Sequence, residues 1–203
     1  MKVKHKWIIG IDEVGRGPLA GPVTVCACVI PSNFKSKEVF KNGIIKDSKK
    51  LKKDSRYIIY QTIRRLRKLN VVEYSIYSKS AEYIDKHGIS KAIKICIENC
   101  IKSLENKNYN ETNSDLVLDG GLSIKNKHKN QKTIIKGDEK ELSIALASII
   151  AKHTRDTYME KLSKEINNYN WDHNMGYGTA KHLEGIKKFG ITKYHRITYI
   201  KHK

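Results

Sequence analysis

The sequence predicts an α/β domain, a β-sheet with helices packed on it. Two observations carry this. Short apolar runs of strand length lie at residues 7–12, 22–30 and 116–118, and helical stretches with apolar residues every three or four positions lie between and after them. The resulting order, β-β-(α)-β-α-β-β-α with a helical C-terminal extension, is that of a sheet carrying helices. A chain of 203 residues buries a sizeable core without a disulfide or metal staple.

The elements follow in order. Residues 7–12 form an apolar strand ending in two carboxylates, and residues 15–22 a glycine- and proline-rich turn. Residues 22–30, with Val23, Val25, Val29 and Ile30, read as a strand buried on both faces. The lysine-rich stretch 31–53 reads mostly as loop. Residues 54–69 place Ile58, Ile59, Ile63, Leu66 and Leu69 on one helical face, opposite Arg56, Arg64, Arg65, Arg67 and Lys68. Residues 71–77 return to strand alternation. Residues 90–104 are helical, with Ile93, Ile97, Ile101 and Leu104 on one face and Ser90 at the N-cap. Residues 116–118 and 132–136 are short strands, and 139–166 one long helix. Residues 179–189 make a further short helix. The expected division is a main α/β domain over 1–160 and a helical extension over 161–203 that packs on it.

Charge narrows the partners. Forty basic residues against 21 acidic ones give a net charge of +19. Such an excess suits a polyanion, nucleic acid before membrane, although a lysine-rich composition that only solvates the surface produces the same figure. No apolar run approaches the roughly 18 residues of a membrane span. The basic start is followed by an apolar stretch broken by Asp12 and Glu13, unlike a secretory signal, so a cytoplasmic protein is expected. Cys26, Cys28, Cys96 and Cys100 lack zinc-ribbon spacing and read as buried thiols.

In a chain short of acids, three strands are each followed by one. Asp12 and Glu13 end the first strand, Asp119 ends 116–118 before Gly120 and Gly121, and Asp138 follows 132–136 through Gly137. Singly, each has a plain explanation: an exposed pair, a turn-initiating Asp, a helix-capping Asp. As a set they suit a divalent cation. If the strands ending at Asp12 and Asp119 are parallel neighbours, about 4.8 Å apart, their carboxylates converge. Metals in such a cluster activate water for phosphodiester cleavage. The turn Gly15-Arg16-Gly17-Pro18-Leu19-Ala20-Gly21 lacks the helix that a dinucleotide-binding fingerprint needs, and there is no nucleotide phosphate loop. It remains a loop whose backbone can approach a ligand closely, with an arginine on it.

These motifs resemble the type 2 ribonuclease H (bacterial ribonuclease HII) family. Residues 10–23, GIDEVGRGPLAGPV, look like its signature. Asp47-Ser48-Lys49-Lys50-Leu51, Leu118-Asp119-Gly120, Lys136-Gly137-Asp138, the block from Ala147 through Lys152 to Arg155-Asp156, and Gly176-Tyr177-Gly178-Thr179 with His182, His195 and Arg196 match further family motifs in order. Val14, Leu146 and His153 depart from the usual residues. The lysine-rich loop 123–131 is long.

The resemblance implies an RNase H-like fold with a mixed central sheet flanked by helices. It implies an endonuclease that cuts RNA in RNA–DNA hybrids and at ribonucleotides embedded in duplex DNA. Carried across, the four-carboxylate site with Mg²⁺ or Mn²⁺ falls on Asp12, Glu13, Asp119 and Asp138. The loop that contacts the 2′-hydroxyl falls on Gly15, Arg16 and Gly17, and the junction-sensing tyrosine on Tyr177. Ser48, Lys49, Lys152 and Arg155 are the expected substrate contacts. Asp156 is expected to pair with a nearby Lys or Arg. Water attack would leave a 5′-phosphate and a 3′-hydroxyl, and a monomer is expected. The alternatives are a non-catalytic hybrid-binding module, which has no use for four convergent acids, and an RNase H-like recombinase or resolvase, which has no reason to read a 2′-hydroxyl.

Overall fold

The computed structural model describes residues 6–40, 51–122, 128 and 130–200. Its strands are β1 (Trp7–Val14), β2 (Val23–Pro31), β3 (Glu73–Lys79), β4 (Ser114–Asp119) and β5 (Gln131–Ile134). Helices α1 (Ser36–Val39) and α2 (Lys53–Lys68) precede β3, and α3 (Ala81–His87) and α4 (Ile89–Glu105) follow it. After β5 come α5 (Gly137–Lys140), α6 (Leu142–Glu165), α7 (Trp171–Asn174), α8 (Ala180–Phe189) and α9 (Ile197–Ile200).

The five strands form one mixed sheet in the order β3-β2-β1-β4-β5. β2 is antiparallel to both β1 and β3, whereas β4 is parallel to β1 and β5 parallel to β4. Alternation along β2 explains its burial. Val23, Val25, Ala27 and Val29 face Ile93, Ile97 and Leu104 of α4. Cys26, Cys28 and Ile30 face Ile63 of α2 and the Ala145–Ala151 stretch of α6. A third cluster joins Met159 and Leu162 at the end of α6 to Ala20, Tyr169 and Trp171. The expected division at 160/161 therefore falls inside α6.

Several expected boundaries are corrected. The long helix over 139–166 is two helices, because Glu141 is extended and its side chain accepts from the Ser143 amide as the N-cap of α6. Asp138 thus lies within α5, one helix earlier than the expected helix head. Ser90 lies inside α4, whose N-cap is Gly88 at φ +80°. The stretch 31–53 contains the short helix α1, and α3 is capped by Ser80, which accepts from the Tyr83 amide. On α2, Ile59, Ile63 and Leu66 pack inward, but Ile58 and Leu69 are exposed. All four cysteines are free and buried.

Helix α6 lies close on β1 because Gly10 has no side chain. A Cβ there would collide with the backbone of Ser143 and Ile144. This seating carries Ser148 to the Asp12 carboxylate. Backbone cannot yield as a flexible side chain can, so Gly10→Ala is expected to cost about 2 kcal/mol or more in urea unfolding. Gly121→Ala, where a Cβ meets nothing within 4 Å, is expected to stay within about 0.5 kcal/mol.

Candidate active site

The parallel pairing of β1 and β4 sets Ile11 opposite Leu118. Asp12 and Asp119 are the next residues on each strand, so the two carboxylates converge at the carboxyl ends of neighbouring strands. Asp12 is 2% exposed. Its Oδ1 accepts from the Glu13 amide at 2.8 Å, and its Oδ2 is buried with no hydrogen-bond partner. Burial pushes this carboxyl up to about 7; the charges of Glu13 and Asp119 add to the rise, and the Ser148 hydroxyl opposes it. Burial also raises Glu13, with Asp119 adding and Arg16 opposing. Arg16 pairs with Glu13 at 3.3 Å. Asp119 Oδ1 accepts from the Gly137 amide at 2.6 Å, which fastens the start of α5, and with it buried Asp138, to the end of β4.

Among the described residues no three acidic, histidine or cysteine side chains are gathered closely enough to hold a metal ion as they stand. The donor set still fits a hard divalent cation. Asp12, Glu13 and Asp119 are all carboxylate, are electrostatically coupled, and hold one buried oxygen with nothing to bond, and buried Asp138 lies one residue past the Gly137 amide bonded to Asp119.

Beside the acids runs the glycine loop, fixed by two arginines that have no exposed surface. Arg155 of α6 donates to the carbonyls of Pro22 (2.9 Å), Ala20 (3.1 Å) and Met175 (2.9 Å). Arg196 donates to those of Gly15 (2.6 Å), Arg16 (3.0 Å) and Gly21 (2.9 Å). Gly15 sits at φ +86°, and a Cβ there would strike the Arg155 side chain. The loop is also tied to the C-terminal elements: the Leu19 and Ala20 amides donate to Gly176 O, and the Gly21 amide to Tyr194 O. Tyr177, 45% exposed, stands against Gly17, its ring carbon 3.8 Å from where a Cβ would be.

The expected phosphate contact at Arg155 is therefore corrected. Its guanidinium is consumed by main-chain carbonyls, and burial together with nearby Arg196 lowers it to about 10. Lys152 is partly exposed and pairs with Asp156 at 2.8 Å; Arg56 approaches the same carboxylate at 3.3 Å. Asp156 is thus the ion-pair partner that the sequence predicts. Ser48 and Lys49, with most of the loop 123–131, lie outside the described residues. Sequence reasoning gave no role to Arg196 or Ser148. The signal for Arg196 was a single arginine in a tail whose other strong bases are lysines.

Residues 9–202 match the family model for ribonuclease HII. The chain belongs to the ribonuclease HII family. It is 41% identical to the ribonuclease HII of Pelagibacter ubique, covering 96% of both chains. It is 41% identical to that of Clostridium botulinum, covering 95% of this chain and 67% of the relative. Among solved structures it resembles RNase HII of Archaeoglobus fulgidus, solved in complex with PCNA, with a TM-score of 0.70, 24% identity and 94% and 93% coverage. It also resembles Bst-RNase HIII in complex with Mn²⁺, with a TM-score of 0.72, 18% identity and 97% and 68% coverage. The fold is RNase H-like, and the enzyme is a ribonuclease H.

The raised Asp12 carboxyl makes the site costly to fold when metal-free. A group raised from 3.8 to about 7 contributes stability that is present below pH 4 and lost as the pH climbs through 7. The loss is roughly 4 kcal/mol when complete. Asp12→Asn is expected to raise the urea midpoint of the chelator-treated enzyme at pH 8, with a gain that shrinks toward pH 4, while cleavage falls to background. An unchanged midpoint at pH 8 would show that the carboxylate is not held at a cost.

Proposed function

We propose that this member of the ribonuclease HII family is a divalent-metal-dependent endonuclease that cleaves the RNA strand of RNA–DNA hybrids and also cuts at single ribonucleotides embedded in duplex DNA. The observation that carries this reading is the seating of Gly17 against Tyr177, beside convergent carboxylates. A ligand-reading loop and a phosphodiester-cleaving centre then share one frame. Asp12, Glu13, Asp119 and Asp138 would hold Mg²⁺ or Mn²⁺. Bound there, the metal supplies water activation and charge stabilisation at the phosphate, which leaves 5′-phosphate and 3′-hydroxyl ends.

The chain's own residues bind and orient. Phosphate contacts cannot tell RNA from DNA; the 2′-hydroxyl and the groove shape can. Gly17 leaves room for a sugar edge at the loop backbone, while the space beside Gly15 is taken by Arg155, so Gly15 would contribute its main chain only; Arg16, half exposed and leaning on Glu13, is assigned to the incoming strand. Tyr177 presents an exposed ring to the next sugar, where it reads the RNA-to-DNA step. Lys152, and with it Ser48 and Lys49, is assigned to phosphate. The helical residues 161–203 complete the cleft, since they supply Tyr177 and the arginine that fixes the loop. The net charge of +19 supports a polyanionic substrate. No helix among the described residues is long and apolar enough to cross a membrane. Free buried thiols support a protein working in the reducing cytoplasm.

The test compares a duplex carrying one ribonucleotide with a continuous hybrid, with Mg²⁺ or Mn²⁺ and with chelator, for wild type and Tyr177→Ala. The expected result is metal-dependent cleavage of both by wild type, with 5′-phosphate products. Tyr177→Ala should lose about tenfold more kcat/KM on the single-ribonucleotide duplex than on the hybrid, the scale of one base or sugar stacking contact. Equal losses would make Tyr177 general scaffolding.

A further inference from the structure

Behind Tyr177 lies a buried polar chain that the activity does not by itself explain. His182 is 0% exposed and His195 2% exposed. His182 Nδ1 lies 2.9 Å from the Tyr177 carbonyl oxygen, and Trp171 Nε1–H donates to His182 Nε2 at 3.0 Å. The two Nε2 atoms of His182 and His195 are 3.2 Å apart. The Thr192 amide donates to His195 Nδ1 at 2.9 Å.

These partners assign the protons. A carbonyl oxygen only accepts, so His182 Nδ1 carries its proton. An indole N–H only donates, so His182 Nε2 is bare. A main-chain N–H faces His195 Nδ1, so that nitrogen is bare and the proton of His195 sits on Nε2, where it points at the bare Nε2 of His182. A second proton on His182 would face two donors. Burial and neighbouring His182 push His195 down to about 4, which keeps it neutral as well. The chain runs one way: Thr192 amide to His195, His195 and Trp171 to His182, His182 to the Tyr177 carbonyl.

The end of this chain is the main chain of the residue assigned to sense the junction. Tyr177 O also accepts from the Thr179 amide at 2.8 Å, and the Tyr177 amide donates to Asn174 O at 2.9 Å. The turn before it uses left-handed backbone, with Met175 at φ +50°, unusual for a non-glycine residue, and Gly176 at φ +85°. The ring itself is nearly half exposed and meets Gly17 on one edge. We infer that His182 is a positioning residue for substrate choice: held in its Nδ1–H form by Trp171 and His195, it fixes the Tyr177 peptide and so aims the ring at a single embedded ribonucleotide. This rests on the reading of Tyr177 given above.

Two variants of His182 separate positioning from bulk support, because each keeps a different half of the network. Asn places an amide donor near the Nδ1 position and can hold the Tyr177 carbonyl. Gln places its amide near Nε2, where it can accept from Trp171 but loses that carbonyl. The readout is the ratio of kcat/KM on a single-ribonucleotide duplex to that on a continuous hybrid. His182→Gln is expected to lower the ratio about tenfold, the scale of one buried hydrogen bond, and His182→Asn to keep it within about threefold of wild type. Equal ratios in the two variants would overturn the inference.

Nitrogen-15 spectra of the full wild-type chain give a second readout that needs no variant. His182 should show a protonated Nδ1 and bare Nε2, and His195 the reverse. The opposite tautomer at His182 would overturn the inference even if both variants fail to fold. Tyr177→Ala run in parallel shows which idea has failed. If that variant leaves the ratio unchanged, the junction reading falls and takes this inference with it. If Tyr177→Ala lowers the ratio while the two His182 variants agree with each other, only the positioning role is lost.

Discussion

Two buried guanidinium groups, with no carboxylate partner among the described residues, hold the candidate site in shape. Burial lowers the proton affinity of both Arg155 and Arg196, nearby Arg196 adds to the fall at Arg155, and neither reaches solvent. What makes their charge tolerable is a ring of carbonyl dipoles from residues 15–22 and Met175. The dependence runs both ways. Without the arginines, carbonyls of a glycine loop that forms no ladder of its own would be buried with few donors, at about 1–3 kcal/mol each. Lysine would be a poor substitute, because a planar fork of five donors serves several acceptors at once. Arg155 arises from α6, the helix that also brings Ser148 to Asp12, and Arg196 from the tail that follows the turn carrying Tyr177. The pair therefore locks acids, loop and tyrosine to one another.

This rigidity answers the electrostatic problem next to it. Asp12, Glu13 and Asp119 repel one another in a poorly solvated place, and the Asp12 Oδ2 atom is left with no donor. A chain selected for stability alone would not keep that arrangement. It persists because β1 and β4 are fixed in register from both sheet faces, by α4 below and α6 above. The strain is concentrated where a cation can relieve it. Arg16 relieves part of it at Glu13 from the solvent side, as an exposed partner.

How much of this was readable from the sequence follows from how local each signal is. The strand-end acids were readable because an apolar strand has a period of two and a definite end, so Asp12 and Asp119 needed only parallel pairing to meet. The amphipathic face of α4 was readable for the same kind of reason. Arg155 was not. In a chain so basic, an arginine on a helix beside Lys152 reads as a phosphate contact, and only the return of the tail from residue 171 onward shows that it is sealed from solvent. The break between α5 and α6 was hidden because Glu141 is a good helix former that acts here as a cap. Ser90 looked like a cap, but Gly88 takes that place with a backbone conformation most residues avoid. The pairing of His182 with His195 depends on tertiary contact across 13 residues and leaves no periodic trace.

The central claim is that the buried arginines hold the glycine loop in place beside the acids. Native-state amide exchange on Arg196→Met tests it most directly, because methionine keeps length and apolar bulk but donates nothing. In wild type the amides of Leu19, Ala20 and Gly21, bonded to Gly176 and Tyr194, should be protected. In the variant their protection should fall about a hundredfold, while β1 and β4 amides change little, as expected when a local unit opens without the core. Loop protection within about twofold of wild type would contradict the account.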